Sequence, residues 1–236
     1  MWRSDRERVR GLPLFCSISS SCFDGLMKAA SMQRVAQHAV FSEEGCLPQF
    51  LHIMLEGTVE LFGHSDERET TLDIIRPMTT FILPAVIRNE PSLKSALALT
   101  PATILTIPAA AVRDAFDRDE RFARAVAVDL ACGYDTTVRA LKDLKLLSGA
   151  ERLANWILET NDEQGNNGRI TLCHTKRSLA SRLGMTPENL SRSLANLAKH
   201  CISIKGRMMI VTDSEALRQY ARPSSLNNGS QPNDGY

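Results

Sequence analysis

LASRLGMTPENLSRSLANLAKH, residues 179–200, holds two apolar-periodic pieces divided by a glycine-containing turn. The first piece ends at Gly184 and the second starts behind Thr186-Pro187. A threonine hydroxyl can accept from an unpaired N–H of a helix's first turn, and proline at the first helical position lacks an N–H that would have no partner. Thr175 can cap the preceding helix, KRSLASRLG, in the same way. Glu188, Ser191 and Arg192 then stand at i, i+3 and i+4 and share one face of the second helix. Downstream, CISIKGRMMIVT gives two short strands around Lys205-Gly206-Arg207, a hairpin wing.

Two short helices, a glycine turn and a hairpin make a winged helix-turn-helix, whose second helix enters the DNA major groove by its amino-terminal residues. The residue types suit that task. Arg192 can donate two bonds to guanine O6 and N7, Glu188 can accept from cytosine N4, and Ser191 is adaptable. Lys176, Arg182 and Thr186 are candidate neighbours on the backbone side. The plain alternative is a solvated Glu188–Arg192 surface pair worth little. Charge favours DNA. Between Arg169 and Arg218 lie nine Lys/Arg against three acids, on a chain whose formal net charge is only +1. The rest of the chain is therefore acidic, and a basic module on an acidic body expects a polyanionic partner for that module.

At 236 residues the chain has room for one large domain or two modest ones. The start, MWRSDRERVRG, is charged and leads into no apolar run long enough for a signal peptide or a membrane helix, so residence in the cytoplasm is expected. Six scattered cysteines without a C-x-x-C read as packing thiols. No Gly-rich phosphate loop, His-x-x-x-His pair or G-x-S-x-G points to an enzyme.

Residues 19–108 read mainly as short strands: FLHIMLEGTVELFGH, TTLDIIRPMTTFIL and SALALTPATILTIP are near-alternating and punctuated by prolines, which predicts an antiparallel sandwich or roll. Gly57 inside the first run predicts a bulge or close backbone approach. Helical periodicity then takes over. Ala123, Val126, Leu130, Gly133, Thr137, Ala140, Leu144 and Leu147 fall alternately three and four apart, a coiled-coil seam for pairing with a second copy. Packing against the chain's own sheet is the alternative. The expected organisation is an N-terminal segment (1–18), a roll (19–108), helices including the dimerisation helix (109–147), the winged helix-turn-helix (148–221) and a polar tail (222–236) read as disordered. The class is α+β.

This order of roll, seam helix and winged helix-turn-helix, with the Glu188-x-x-Ser191-Arg192 triplet, resembles the Crp/Fnr family of transcription regulators over residues 19–215. The resemblance implies a cyclic-nucleotide-binding-like roll and a homodimer with Val126, Leu130, Gly133, Thr137 and Leu144 at its interface. It also implies a two-fold operator of TTGA-like half-sites and activation through contact with RNA polymerase. A roll acting as a regulatory module without DNA contact is the rival class, and it has no use for the basic winged helix.

The family's cyclic-AMP binders hold the ribose with Gly-Glu and the phosphate with a later Arg-Ser/Thr-Ala. Lys94-Ser95-Ala96 occupies the second position here and Leu83-Pro84 the first. Leucine accepts no hydroxyl bond and proline removes a donor, which argues against cyclic AMP. The Cys16-x5-Cys22 pair matches only part of the iron–sulfur spacing of the oxygen-sensing members, which argues against a 4Fe-4S cluster. The runs TTFILPAVIRNEPSLKSALALTPATILTIP and KRSLASRLGMTPENLSR resemble the nitric-oxide-responsive NnrR-type regulators, which implies a haem. His52, in an apolar strand, is then the nominal ligand, although a satisfied core histidine is the commoner reading. An organic carboxylate in a FILPAVI pocket, anchored by Lys94, stays open, as does an oxygen or redox signal.

Overall fold

A computed structural model describes residues 2–66, 68–172 and 175–221. The expected disordered tail, with Cys173 and His174, lies outside them. The chain divides into two compact units, Met1–Val138 and Arg139–Tyr236. The division falls inside a helix, rather than at the loop after residue 147.

The first unit opens with three helices, α1 (Trp2–Arg10), α2 (Pro13–Cys16) and α3 (Ser20–Ala29). Ser19 caps α3 by accepting from the Cys22 N–H at 3.2 Å. Eight strands follow: β1 (Ser31–Val35), β2 (Val40–Ser42), β3 (Phe50–Glu56), β4 (Val59–Ser65), β5 (Arg68–Ile75), β6 (Thr79–Phe81), β7 (Ser95–Ala98) and β8 (Ala102–Pro108). They form two antiparallel four-stranded sheets, ordered β1-β8-β3-β6 and β2-β7-β4-β5. Between β6 and β7 lies α4 (Leu83–Arg88), and α5 (Ala109–Arg118) follows β8.

β3 is buried from Leu51 to Leu55 without alternation. One of its faces meets the core between the sheets, and helices cover the other, as the contacts of α4 and α5 with this strand show. Phe15 joins the same core, with its ring 6.2 Å from Phe122 and 6.1 Å from Phe23. Gly57 behaves as expected. Its φ is +96°, and a β-carbon there would lie 2.6 Å from the Pro101 carbonyl oxygen, so only glycine fits. The β3–β8 register shifts between Met54 and Glu56, just before this point.

Helix α6 (Glu120–Leu146) starts in the first unit and ends in the second. The second unit then contains α7 (Gly149–Glu163), β9 (Arg169–Thr171), α8 (Lys176–Arg182), α9 (Pro187–Leu197), β10 (Ile202–Lys205), β11 (Met208–Val211) and α10 (Ser214–Ala221). β10, β11 and β9 form an antiparallel sheet in that order. Leu153, Trp156 and Ile157 of α7 pack with Leu179, Leu190, Leu194, Leu197, Met209 and Leu217.

Candidate nucleic-acid interface and sensor residues

The turn between α8 and α9 is built by three residues. Gly184 takes φ +61°, where a β-carbon would meet Leu144 Cδ2 at 2.6 Å. Thr186 accepts from the Asn189 N–H at 3.2 Å, and Pro187 opens α9. Leu190, Leu194 and Leu197 anchor α9 in the core, which turns Glu188, Ser191 and Arg192 outward together, all exposed. The Glu188 carboxyl is held below its ordinary range, first by its own backbone N–H, then by the Thr186 hydroxyl, with the Arg192 charge a smaller cause. It is therefore an ionised acceptor at neutral pH. The β10–β11 hairpin, turning at Gly206 with φ +62°, carries exposed Lys205 and Arg207.

Lys176 is exposed at the start of α8, whereas Arg182 is half-buried and within electrostatic reach of Glu159. Sequence reasoning missed Arg152. From α7 its guanidinium donates to the carbonyls of Leu183 (2.8 Å), Gly184 (3.2 Å) and Leu147 (2.5 Å). One side chain thus ties the inter-helix turn to the segment after α6. The only signal in the sequence is its place one residue after the Ser148–Glu151 capping box, which fixes the first turn of α7.

The seam of α6 needs a correction. Val126 is fully buried in its own unit's core, so it is not free for a partner as expected of a dimer interface, and Leu130 packs half-buried against that core. Beyond Leu130 the picture changes. Gly133, Thr137, Ala140 and Leu144 are exposed, and Tyr134 (70% exposed) and Leu141 (51%) join the same stripe.

The FILPAVI run ends β6 and opens α4, with Phe81, Ile82, Leu83 and Val86 buried in the core. Leu83 and Val86 are buried while Pro84 is exposed, and left-handed Ile82 and Asn89 bound the helix. Ser95 is buried and its hydroxyl accepts from the Glu44 N–H at 2.9 Å. Lys94 is half-buried, and burial pushes its ammonium pKa down, against the pull of Asp73.

His52 lies elsewhere, beside a cavity of about 330 Å³ between β2, the 43–49 loop and β3. Its ring stacks on Phe81 at 5.0 Å. At the amino terminus burial, then the Asp119 charge, pushes the Cys22 thiol up to about 11. Among the described residues no group of three or more His, Cys, Asp or Glu could hold a metal ion. Among them, too, no helix is long and apolar enough to cross a membrane.

The fold sets a β-roll ahead of a winged helix-turn-helix whose second helix exposes the Glu188, Ser191 and Arg192 triplet. Residues 32–119 match the cyclic nucleotide-binding domain model and residues 151–220 the Crp-like helix-turn-helix domain model. The chain is thus a Crp/Fnr-type DNA-binding transcription regulator. It is similar to the solved structure of FixK2 from Bradyrhizobium japonicum, with a TM-score of 0.76, 18% identity, and 83% of this chain and 99% of that one covered. A CRP-family transcriptional regulator from Thermus thermophilus follows at 0.66, 21% identity and 81% and 97% coverage. DNR from Pseudomonas aeruginosa matches at 0.51, 19% identity and 92% and 98% coverage. At these identities the likeness carries the fold alone. No curated protein matches the chain.

Proposed function

We propose that the protein is a cytoplasmic homodimer that reads an inverted repeat of TTGA-like half-sites and activates transcription by touching RNA polymerase. The observation that carries this is the exposed Glu188, Ser191 and Arg192 face at the amino-terminal end of α9, within a module bearing nine Lys/Arg against three acids. Reading a two-fold site requires two copies of α9 about one DNA turn apart, and the exposed stripe of α6 from Gly133 to Leu144 supplies a surface for the pairing. A gel shift with a TTGA-N-TCAA palindrome and a scrambled duplex tests the reading. Preferential retention of the palindrome supports it, and equal retention of both sinks it. Nitric oxide as the input, the signal implied by the NnrR-like runs, calls for a haem, with His52 as the nominal ligand. A Soret band in protein isolated from its native cells, and a gel shift that responds to nitric oxide, are the readouts for that input.

A further inference from the structure

The outward face of α9 does not end at Arg192. Ala195 stands seven residues beyond Glu188, which at about 3.6 residues per turn brings it to within about 20° of Glu188 around the helix, between Ser191 and Arg192. Leu190, Leu194 and Leu197 are buried on the opposite side, and Ala195 is exposed. Its neighbour Asn196 is engaged to one side, where its amide donates to the Tyr220 hydroxyl at 3.1 Å. The middle of the exposed face is thus a methyl group, with Glu188, Ser191 and Arg192 towards the amino terminus and exposed Lys199 just past the helix end.

We infer that Ala195 is a specificity-determining residue whose methyl packs on the C5-methyl of a thymine in each half-site, an inference that rests on the DNA reading above. Thymine alone presents an apolar group in the major groove, and alanine is among the side chains that can meet it. Against any other base edge the same methyl would displace water from a donor or acceptor and offer nothing in return. The basic surplus of the module draws the duplex to this face, and the short side chain lets the helix lie close to the groove floor. Spacing says which thymine. Ala195 is three residues beyond Arg192, about 4.5 Å along the axis, close to the spacing of about 3.4 Å between base pairs. It therefore falls on a base pair beside the guanine that Arg192 reads. In TTGA both pairs flanking that guanine carry a thymine, on one strand or the other.

Gel shifts of the full chain on palindromes with one thymine of each half-site replaced by uracil test this, because the exchange removes a methyl and keeps every pairing group. At one of the two positions flanking the guanine, uracil should weaken binding about fourfold per half-site, the effect of one methyl left in water. Ala195→Gly removes the protein's methyl, and Ala195→Asn replaces it with an amide suited to adenine. Each variant should bind the thymine and uracil duplexes equally. Comparing two duplexes within one variant cancels any effect of the substitution on the helix itself. Indifference of the parent to uracil at both flanking positions, or a uracil effect retained in either variant, would overturn the proposal. A scrambled duplex is run in parallel. A protein that prefers the palindrome but ignores uracil fails on Ala195 alone, whereas one that holds palindrome and scrambled duplex equally fails on the DNA reading and takes Ala195 with it.

Discussion

Burial holds the His52 imidazole at about 4, against about 6.5 for an exposed one. Between those values the unfolded chain binds a proton that the folded chain refuses, so acid favours unfolding. This contribution to stability is fully present above pH 6.5 and is lost as pH falls towards 4. At about 1.4 kcal/mol per unit, it amounts to roughly 3 kcal/mol. Urea unfolding of the roll should therefore weaken between about pH 7 and 4.5, and His52→Phe should flatten that decline. A profile unchanged by the substitution would show that His52 is solvated. Arg192 is the opposite kind of residue, exposed and free of the core. Arg192→Ala should cost about 1–3 kcal/mol on the palindrome and relax preference at one base pair while leaving the fold intact. Binding as tight and selective as the parent's would remove Arg192 from the reading face. Gly184, Thr186 and Pro187 were legible in the sequence because each has a backbone reason for its place. Arg152 was not, because its three carbonyl partners come from segments distant or irregular in sequence.

Helix α6 is the element where periodicity said most and settled least. The three–four spacing marks a face that needs covering, but it does not say what covers it. The first three turns lay that face on their own roll, which is why Val126 is buried and Leu130 half-buried. The later turns leave it open. Tyr134→Glu together with Leu141→Glu puts charge on side chains that are exposed within their own chain, so each chain should fold as before. Buried in a dimer, the same charges would lack partners. Sedimentation should show monomers that no longer retain the palindrome, and persistence of the dimer would place the interface elsewhere. Other elements escaped the sequence for different reasons. α4 has six residues and no side-chain cap, and an apolar run that short reads equally as a strand. The amino-terminal helices carry too few periodic positions to stand out. The roll itself was legible, since short β-rich runs at regular spacing with proline and glycine breaks have few other folds open to them.

For the molecule as a whole, charge divides where function does. The stretch 169–218 carries a surplus of six positive charges while the chain carries only +1, so the attraction to a phosphate backbone is concentrated in that module. DNA affinity should fall steeply with salt, and Lys176→Ala should weaken every sequence alike and lessen the log–log slope by about one. An unchanged slope would show that Lys176 touches no phosphate. The joint around Arg152 bears on how such a molecule fails in acid. A guanidinium does not give up its proton in any usable pH range, and its three acceptors are carbonyls with nothing to titrate. Glu188, already held low, keeps its charge longer than an ordinary glutamate. Acidification thus protonates His52 of the roll while the Arg152 ties of the winged-helix module keep their charge.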